Sequence, residues 1–179
     1  MKLKSEQNVK KSIRIIVESA VIGAFYAVLT LSLAPVSFGV IQFRISEALT
    51  ILPIFTPTAI WGLTIGCAIS NLAGLMMGAN LAGAIDILIG SLATFLAAVL
   101  TYKLRNIRIK KLPILSLVPQ IVFNALFVGA ELCLFLPSEY SFIIGILSVG
   151  IGEAVVVFAL GLPLYLLINK TGILNKLIR

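Results

Sequence analysis

The chain has 179 residues, of which 60% are hydrophobic and 12% charged, with a mean hydropathy of +1.12. Soluble domains are about half apolar and about a quarter charged, so this composition excludes an ordinary soluble domain and reads as one all-α membrane domain. The net charge of +7 falls in three basic clusters, which act as topology signals rather than as a nucleic-acid surface.

In chain order, residues 1–11 read as a polar, basic tail with Lys2, Lys4, Lys10 and Lys11. The apolar run after it is too long for a cleavable signal peptide. The first helix is expected over about 12–34, ending at Pro35, with Arg14 and Glu18 paired four residues apart. On this helix Ser19, Gly23 and Ala27 repeat every four positions, as do Ala20 and Ala24. Such small-residue faces let another helix approach closely. The spacing fits packing inside the bundle and docking of a partner equally well.

Residues 38–53 read FGVIQFRISEALTILP and place Gln42, Phe43, Arg44, Ser46 and Glu47 among apolar neighbours. A charged pair beside a membrane-length apolar run costs several kcal/mol unless it is paired or faces water or a ligand. Residues 45–55 form a short apolar helix, too short to span alone at about 1.5 Å per residue. Thr56-Pro57 signals the next helix start, with threonine as cap and proline at the first position. Helices follow over about 58–77 and 84–102, then a basic loop with Lys103, Arg105, Arg108, Lys110 and Lys111. A helix over about 113–136 is stopped by Pro137, and Ser138 caps the last one, about 141–168. The tail carries Lys170, Lys176 and Arg179.

If all three basic clusters are cytoplasmic, an even number of crossings separates each from the next. The short 45–55 segment must then count as a crossing. The expectation is a six-helix bundle over 12–168, with cytoplasmic tails at 1–11 and 169–179 and both termini inside.

That topology puts Glu47, Asn71, Asp86 and Glu131 in the outer half, with Glu153 near the middle of its helix. Gln120, Asn124 and Glu131 fall within about 40° of one another on one helical face. Ionised carboxylates are too costly to bury alone, and only Arg44 supplies positive charge nearby. A cationic or donor-rich ligand would complete the set, since carboxylates accept pairs of N–H bonds. Phe43, Phe123, Phe127 and Trp61 are available to stack on a flat ring. Interhelical hydrogen bonding is the bland reading for Asn71, Gln120 and Asn124, and an interfacial ion pair or a helix cap that for Arg44, Glu47 and Asp86.

Histidine is absent, Cys67 and Cys133 read as packing residues without metal-ligand spacing, and no phosphate-binding loop appears. No catalytic residue, metal or cofactor is expected.

The opening motif FGxxQFRxSEALTxLP, carried by Phe38-Gly39, Gln42-Phe43-Arg44, Ser46-Glu47-Ala48-Leu49-Thr50 and Leu52-Pro53, resembles the signature of the QueT family. These are substrate-binding S components of energy-coupling factor (ECF) transporters. Shorter matches in the same order, including Asn71-Leu72, Phe123-Asn124-Ala125, Gly129 with Glu131 and Gly152-Glu153, extend the resemblance over about 20–168. It implies six helices in a bacterial plasma membrane and uptake of a queuosine precursor, a 7-deazaguanine such as queuine or its aminomethyl relative. Implied partners are a transmembrane T component, docked on the small-residue face of the first helix, and two ATPase subunits. The expected ligand set is Glu47, Asn71, Asp86, Asn124, Phe127, Glu131 and Glu153, with Gln42, Phe43 and Arg44 in a gate loop. Ala20, Gly23, Ala24 and Ala27 are the expected docking residues. Competing readings are an S component for riboflavin or thiamine, a solo carrier, a membrane enzyme or a scaffold.

Overall fold

A computed structural model describes residues 2–39, 42–80, 82–136 and 141–172. All regular structure among them is helical, apart from an isolated bridge between Ile109 and Leu112. The elements are α1 (Lys2–Ser32), the short α2 (Ala34–Ser37), a central 3-10 helix (Ile45–Ile54), α3 (Thr58–Met76), α4 (Asp86–Leu104), α5 (Ile114–Phe135), α6 (Phe142–Val156) and α7 (Leu162–Thr171). A 3-10 turn, Gly83–Ile85, leads into α4, and a π-helical segment, Val157–Gly161, joins α6 to α7 in one continuous run. Five stretches are long and apolar enough to cross a membrane: Glu6–Ser32, Thr58–Met76, Gly83–Leu104, Ile114–Phe135 and Phe142–Thr171.

Apart from the start of α3, where Pro57 and not Thr56 stands as N-cap, without a side-chain cap hydrogen bond, the expected helices are present with three differences. The first begins at Lys2, not near residue 12, because lysine, glutamate and glutamine favour helix and extend α1 beyond its apolar part. Ser141, not Ser138, caps α6, its hydroxyl accepting from the Ile144 N–H at 3.4 Å. Ser138, the stop at Pro137 and the tail cations Lys176 and Arg179 lie outside the described residues. Third, the short apolar helix is a 3-10 helix, which rises about 2.0 Å per residue and so covers roughly 20 Å, where an α-helix of that length would cover roughly 15 Å.

Neighbours in sequence pack side by side, α1 on α3, α3 on α4, α4 on α5 and α5 on α6. The 3-10 helix touches each of these, the π segment and α7, so it fills the middle of the bundle. Its Ile51 and Ile54, three apart on one edge, pack with Leu117, Val157 and Tyr165. The π segment brings Gly161 against Ile51 and Ala48. Pro163, just beyond it, has no N–H for the carbonyl of Ala159, and the wider turn absorbs that break.

The two small-residue stripes on α1 part company. Ser19, Gly23 and Ala27 are buried, while Ala20 and Ala24 are exposed. Gly23 meets Gly62 and Gly66 of α3 so closely that a Cβ on Gly23 would lie 2.9 Å from the Gly62 carbonyl oxygen. Internal packing therefore accounts for Gly23. Arg14 and Glu18 pair as expected, at 2.8 Å. A Cβ at Gly66 would meet the Gly23 carbonyl oxygen at 2.7 Å and the Tyr26 Cβ at 2.9 Å. Gly66→Val is expected to lower stability by about 1–3 kcal/mol through overpacking, measured as thermal midpoint in detergent. An unchanged midpoint would mean that α1 and α3 do not meet there.

Candidate functional site

The polar residues of the sequence motif fold inward because the 3-10 helix is surrounded on all sides. Glu47, in its first turn, is 1% exposed. Tyr26 of α1 donates its hydroxyl to Glu47 Oε1, and Gln120 of α5 donates Nε2 to Oε2 at 2.7 Å. Arg44, 4% exposed, places Nη1 4.0 Å from Glu47 Oε1 and Nη2 3.8 Å from Asp86 Oδ2. Its guanidinium lies 5.2 Å over the ring of Phe38, and Nη1 is 3.8 Å from Cys67 Sγ.

Asp86, at the start of α4, accepts from Asn80 Nδ2 at 2.9 Å, while Asn71 of α3 donates to its main-chain oxygen at 2.9 Å. Gly90, one turn further along α4, leaves room for both: a Cβ there would fall 2.8 Å from Asn71 Nδ2. Asn124 donates to Glu153 Oε1 at 2.9 Å. It lies one turn beyond Gln120 on α5, which links this pair to the Arg44 cluster. Gly152, beside Glu153, brings α6 against the main-chain carbonyl of Gln42. Glu131 is 1% exposed, about 10 Å further along α5 from Asn124.

Hydrogen-bond demand at this site is lopsided. Six buried acceptor atoms have no donor: Asn71 Oδ1, Asp86 Oδ1, Gln120 Oε1, both oxygens of Glu131 and Glu153 Oε2. On the donor side, among the described residues, only Arg44 Nε and Nη2 lack hydrogen bonds, with the Ser37 hydroxyl able to serve either way. Buried polar groups in native proteins are nearly always satisfied. The arrangement is suited to hold a molecule rich in N–H groups or positively charged.

Of the residues named from sequence, Gln42, Arg44, Glu47, Asn71, Asp86, Asn124, Glu131 and Glu153 are all buried. Arg44, Glu47, Asp86 and Asn71 share one network, and Asn124 and Glu153 form a second pair. Phe43 is half-buried, its N–H bonded to the Val36 carbonyl at 3.1 Å. Phe127 is half-buried and tilts against Phe123 with centroids 6.0 Å apart. Trp61 does not face the site: it is 55% exposed on the outside of α3, against Phe95. Phe123 lines an outer groove between α4 and α5. Trp61 is thus removed from the stacking candidates, since a lipid-facing position suits a large ring as well as a pocket does.

Sequence reasoning missed Tyr26, Phe38 and Asn80 as members of the network, and treated Cys67 as packing alone. Asn80 carried the one available signal, a polar residue in a turn six positions before Asp86. Outside the polar layer, an apolar groove of about 570 Å³ runs between α1 and α3, lined by Ala20, Gly23, Ala24 and Ala27 and by the larger Ile16, Trp61 and Ile65.

Comparison with known proteins gives a consistent picture. The family model described as "QueT transporter" matches residues 16–170. A protein named "Queuosine precursor transporter QueT", from Lactococcus lactis subsp. cremoris (strain MG1363), is 37% identical over 81 residues, which cover 44% of this chain and 44% of that protein. No solved structure matches the chain.

Proposed function

The chain belongs to the QueT transporter family, and we propose that it is the substrate-capturing subunit of an ECF-type importer for a queuosine precursor of the 7-deazaguanine class. The observation that carries this reading is the imbalance of six undonated buried acceptors against two free nitrogens of Arg44, the one buried cation among the described residues. A deazaguanine presents ring N–H and amino donors on one edge. An aminomethyl substituent adds a protonated amine, which suits a site with excess carboxylate. Glu131 and Glu153 supply three of the free acceptors, and we assign them direct ligand contact. Gln42, Phe43 and Arg44 form the outer gate loop, which closes against α6 at Gly152.

In this reading the bundle makes six crossings with both ends cytoplasmic. The 3-10 helix covers roughly 20 Å of the roughly 30 Å hydrocarbon core, and it is counted as a crossing beside the five long stretches. The bacterial plasma membrane is its location. Energy comes from partners, because the chain has no phosphate-binding loop. A T component with two ATPase subunits docks on the α1–α3 groove, where Ala20 and Ala24 let a partner helix come close.

Thermal stability of purified protein tests the ligand. Queuine or the aminomethyl deazaguanine at a hundredfold over Kd is expected to stabilise it by about 2.7 kcal/mol, with no shift from riboflavin or thiamine. Glu131→Gln and Glu153→Gln are each expected to weaken binding by about 1–3 kcal/mol. A shift with a vitamin and none with any deazaguanine would replace this ligand assignment. Unchanged affinity in both variants would move the pocket elsewhere.

A further inference from the structure

The α4–α5 junction carries features that go beyond setting the topology. Lys103, Arg105, Arg108, Lys110 and Lys111 fall within nine residues, and no acidic residue lies between Asp86 and Glu131. Two of these cations are held in place. Arg105 donates Nη1 to the Tyr102 carbonyl at 2.7 Å and lies 3.8 Å over the Tyr102 ring, while Arg108 lies 5.2 Å over the ring of Tyr165.

Lys110 and Lys111 form the tip of a two-residue turn closed by reciprocal Ile109 and Leu112 main-chain bonds of 2.9 Å. Both have positive φ, 49° and 69°. That conformation is the home of Asn-Gly, and side chains with a Cβ strain it. Two lysines stand where the backbone disfavours them, and both are exposed. Ile107 and Ile109, between the cations, are 45% and 48% exposed.

An apolar slot of about 230 Å³ runs from this loop along the outside of the bundle, lined by Leu104, Leu115, Val118, Pro119, Val122 and Phe123. Its loop end is formed by Leu104, adjacent to Arg105, and by Leu115, just past the hairpin. An apolar channel along a membrane-length helix pair, ending in a cluster of cations, matches one molecule end to end. We propose that this slot and hairpin bind an anionic phospholipid, with an acyl chain along the slot and the headgroup phosphate on the loop cations. The slot gives a free anion nothing to bind. The exposed isoleucines between the cations suit insertion at the headgroup boundary better than contact with an acidic protein face.

The test needs no transported substrate, so it stands apart from the proposed function. The thermal midpoint of the purified full chain is measured with added dioleoyl-phosphatidylglycerol, dioleoyl-phosphatidylcholine, inorganic phosphate or polyglutamate. Phosphatidylglycerol is expected to raise the midpoint by several degrees more than any of the others. The Lys110→Asn/Lys111→Gly variant, whose turn suits its backbone better, is expected to fold and to lose most of that increment. Val122→Trp, which fills the slot from an exposed position, is expected to lose it too. Equal midpoints with the two lipids, or an increment untouched in both variants, would overturn the proposal. An equal rise with phosphate or polyglutamate would also overturn it, pointing to a free anion or an acidic protein surface.

Discussion

Arg44→Met is expected to destabilise the fold by about 3–5 kcal/mol, the usual cost of removing one partner from a buried ion pair. Arg44 is the one buried cation among the described residues. It stands between two buried carboxylates, 4.0 Å from Glu47 and 3.8 Å from Asp86. At such distances, and at the effective dielectric of protein sites, each attraction is worth about 4 kcal/mol before desolvation is subtracted. Methionine keeps most of the volume and its contact with Phe38, so the loss isolates charge from packing. Glu47 retains Tyr26 and Gln120 as donors, whereas Asp86 retains Asn80 for one oxygen alone. Asp86 is therefore the group left worse off, and Arg44→Met/Asp86→Asn is expected to regain a large part of the loss. Arg44→Lys is expected to fall between, since an ammonium on a flexible stem does not reproduce the guanidinium fork. The thermal midpoint in detergent without ligand reads all three. A neutral Arg44→Met, or a double variant worse than the single, would show that the arginine does not hold these carboxylates. Four contacts, with Glu47, Asp86, Phe38 and Cys67, give Arg44 a structural duty that exists before any ligand arrives.

The five long helices were legible because each is an apolar run bounded by loops with proline, glycine or charge. Which face each turns inward was harder to read. In a membrane helix both faces are apolar, so the usual amphipathic signal is weak. Along α3 the inward residues include Gly62, Gly66, Cys67, Ser70 and Asn71, small or polar, with Leu63 the large apolar exception, and the outward ones include Trp61, Ile65, Ile69 and Leu72. A reading that looks for large apolar residues inside misplaces most of this helix, and Trp61, named as an aromatic available for stacking, lies on its outer side. Polar residues on the helices were the better guide: Gln42, Glu47, Asn71, Asp86, Gln120, Asn124, Glu131 and Glu153 are all buried, while Glu18, paired with Arg14, is half-buried.

What sequence could not supply was pairing. Glu47 is held by Tyr26 and Gln120, 21 and 73 positions away, and no local pattern encodes such partners. Tyr26 lies in an unremarkable apolar stretch, so nothing marked it. The 3-10 form of Ile45–Ile54 was hidden for a different reason. A ten-residue, mostly apolar segment that holds Ser46, Glu47, Thr50 and one proline fits either helix type.

That central segment also ties the site to the outer face of α1, which bears on the second large effect. Ala24→Trp is expected to leave ligand binding intact and to reduce uptake to background, a loss of at least about tenfold, equivalent to about 1.4 kcal/mol of docking energy. Ala24 is exposed and lines the α1–α3 groove, so an indole there projects from the bundle and blocks the approach of a helix. Nothing in the polar layer depends on it. Val28, one turn further along, is 61% exposed and is not among the groove residues. Val28→Trp is therefore the matched control, expected to support normal uptake. Radiolabelled precursor uptake in cells carrying the partner subunits, together with ligand-induced thermal shift on the purified variants, separates docking from binding. Wild-type uptake by Ala24→Trp would remove the groove from the transport cycle. Loss of the thermal shift would instead mean that the insult reached the site, and the route for that is short. Tyr26, two residues from Ala24 on the same helix, carries the hydroxyl that holds Glu47.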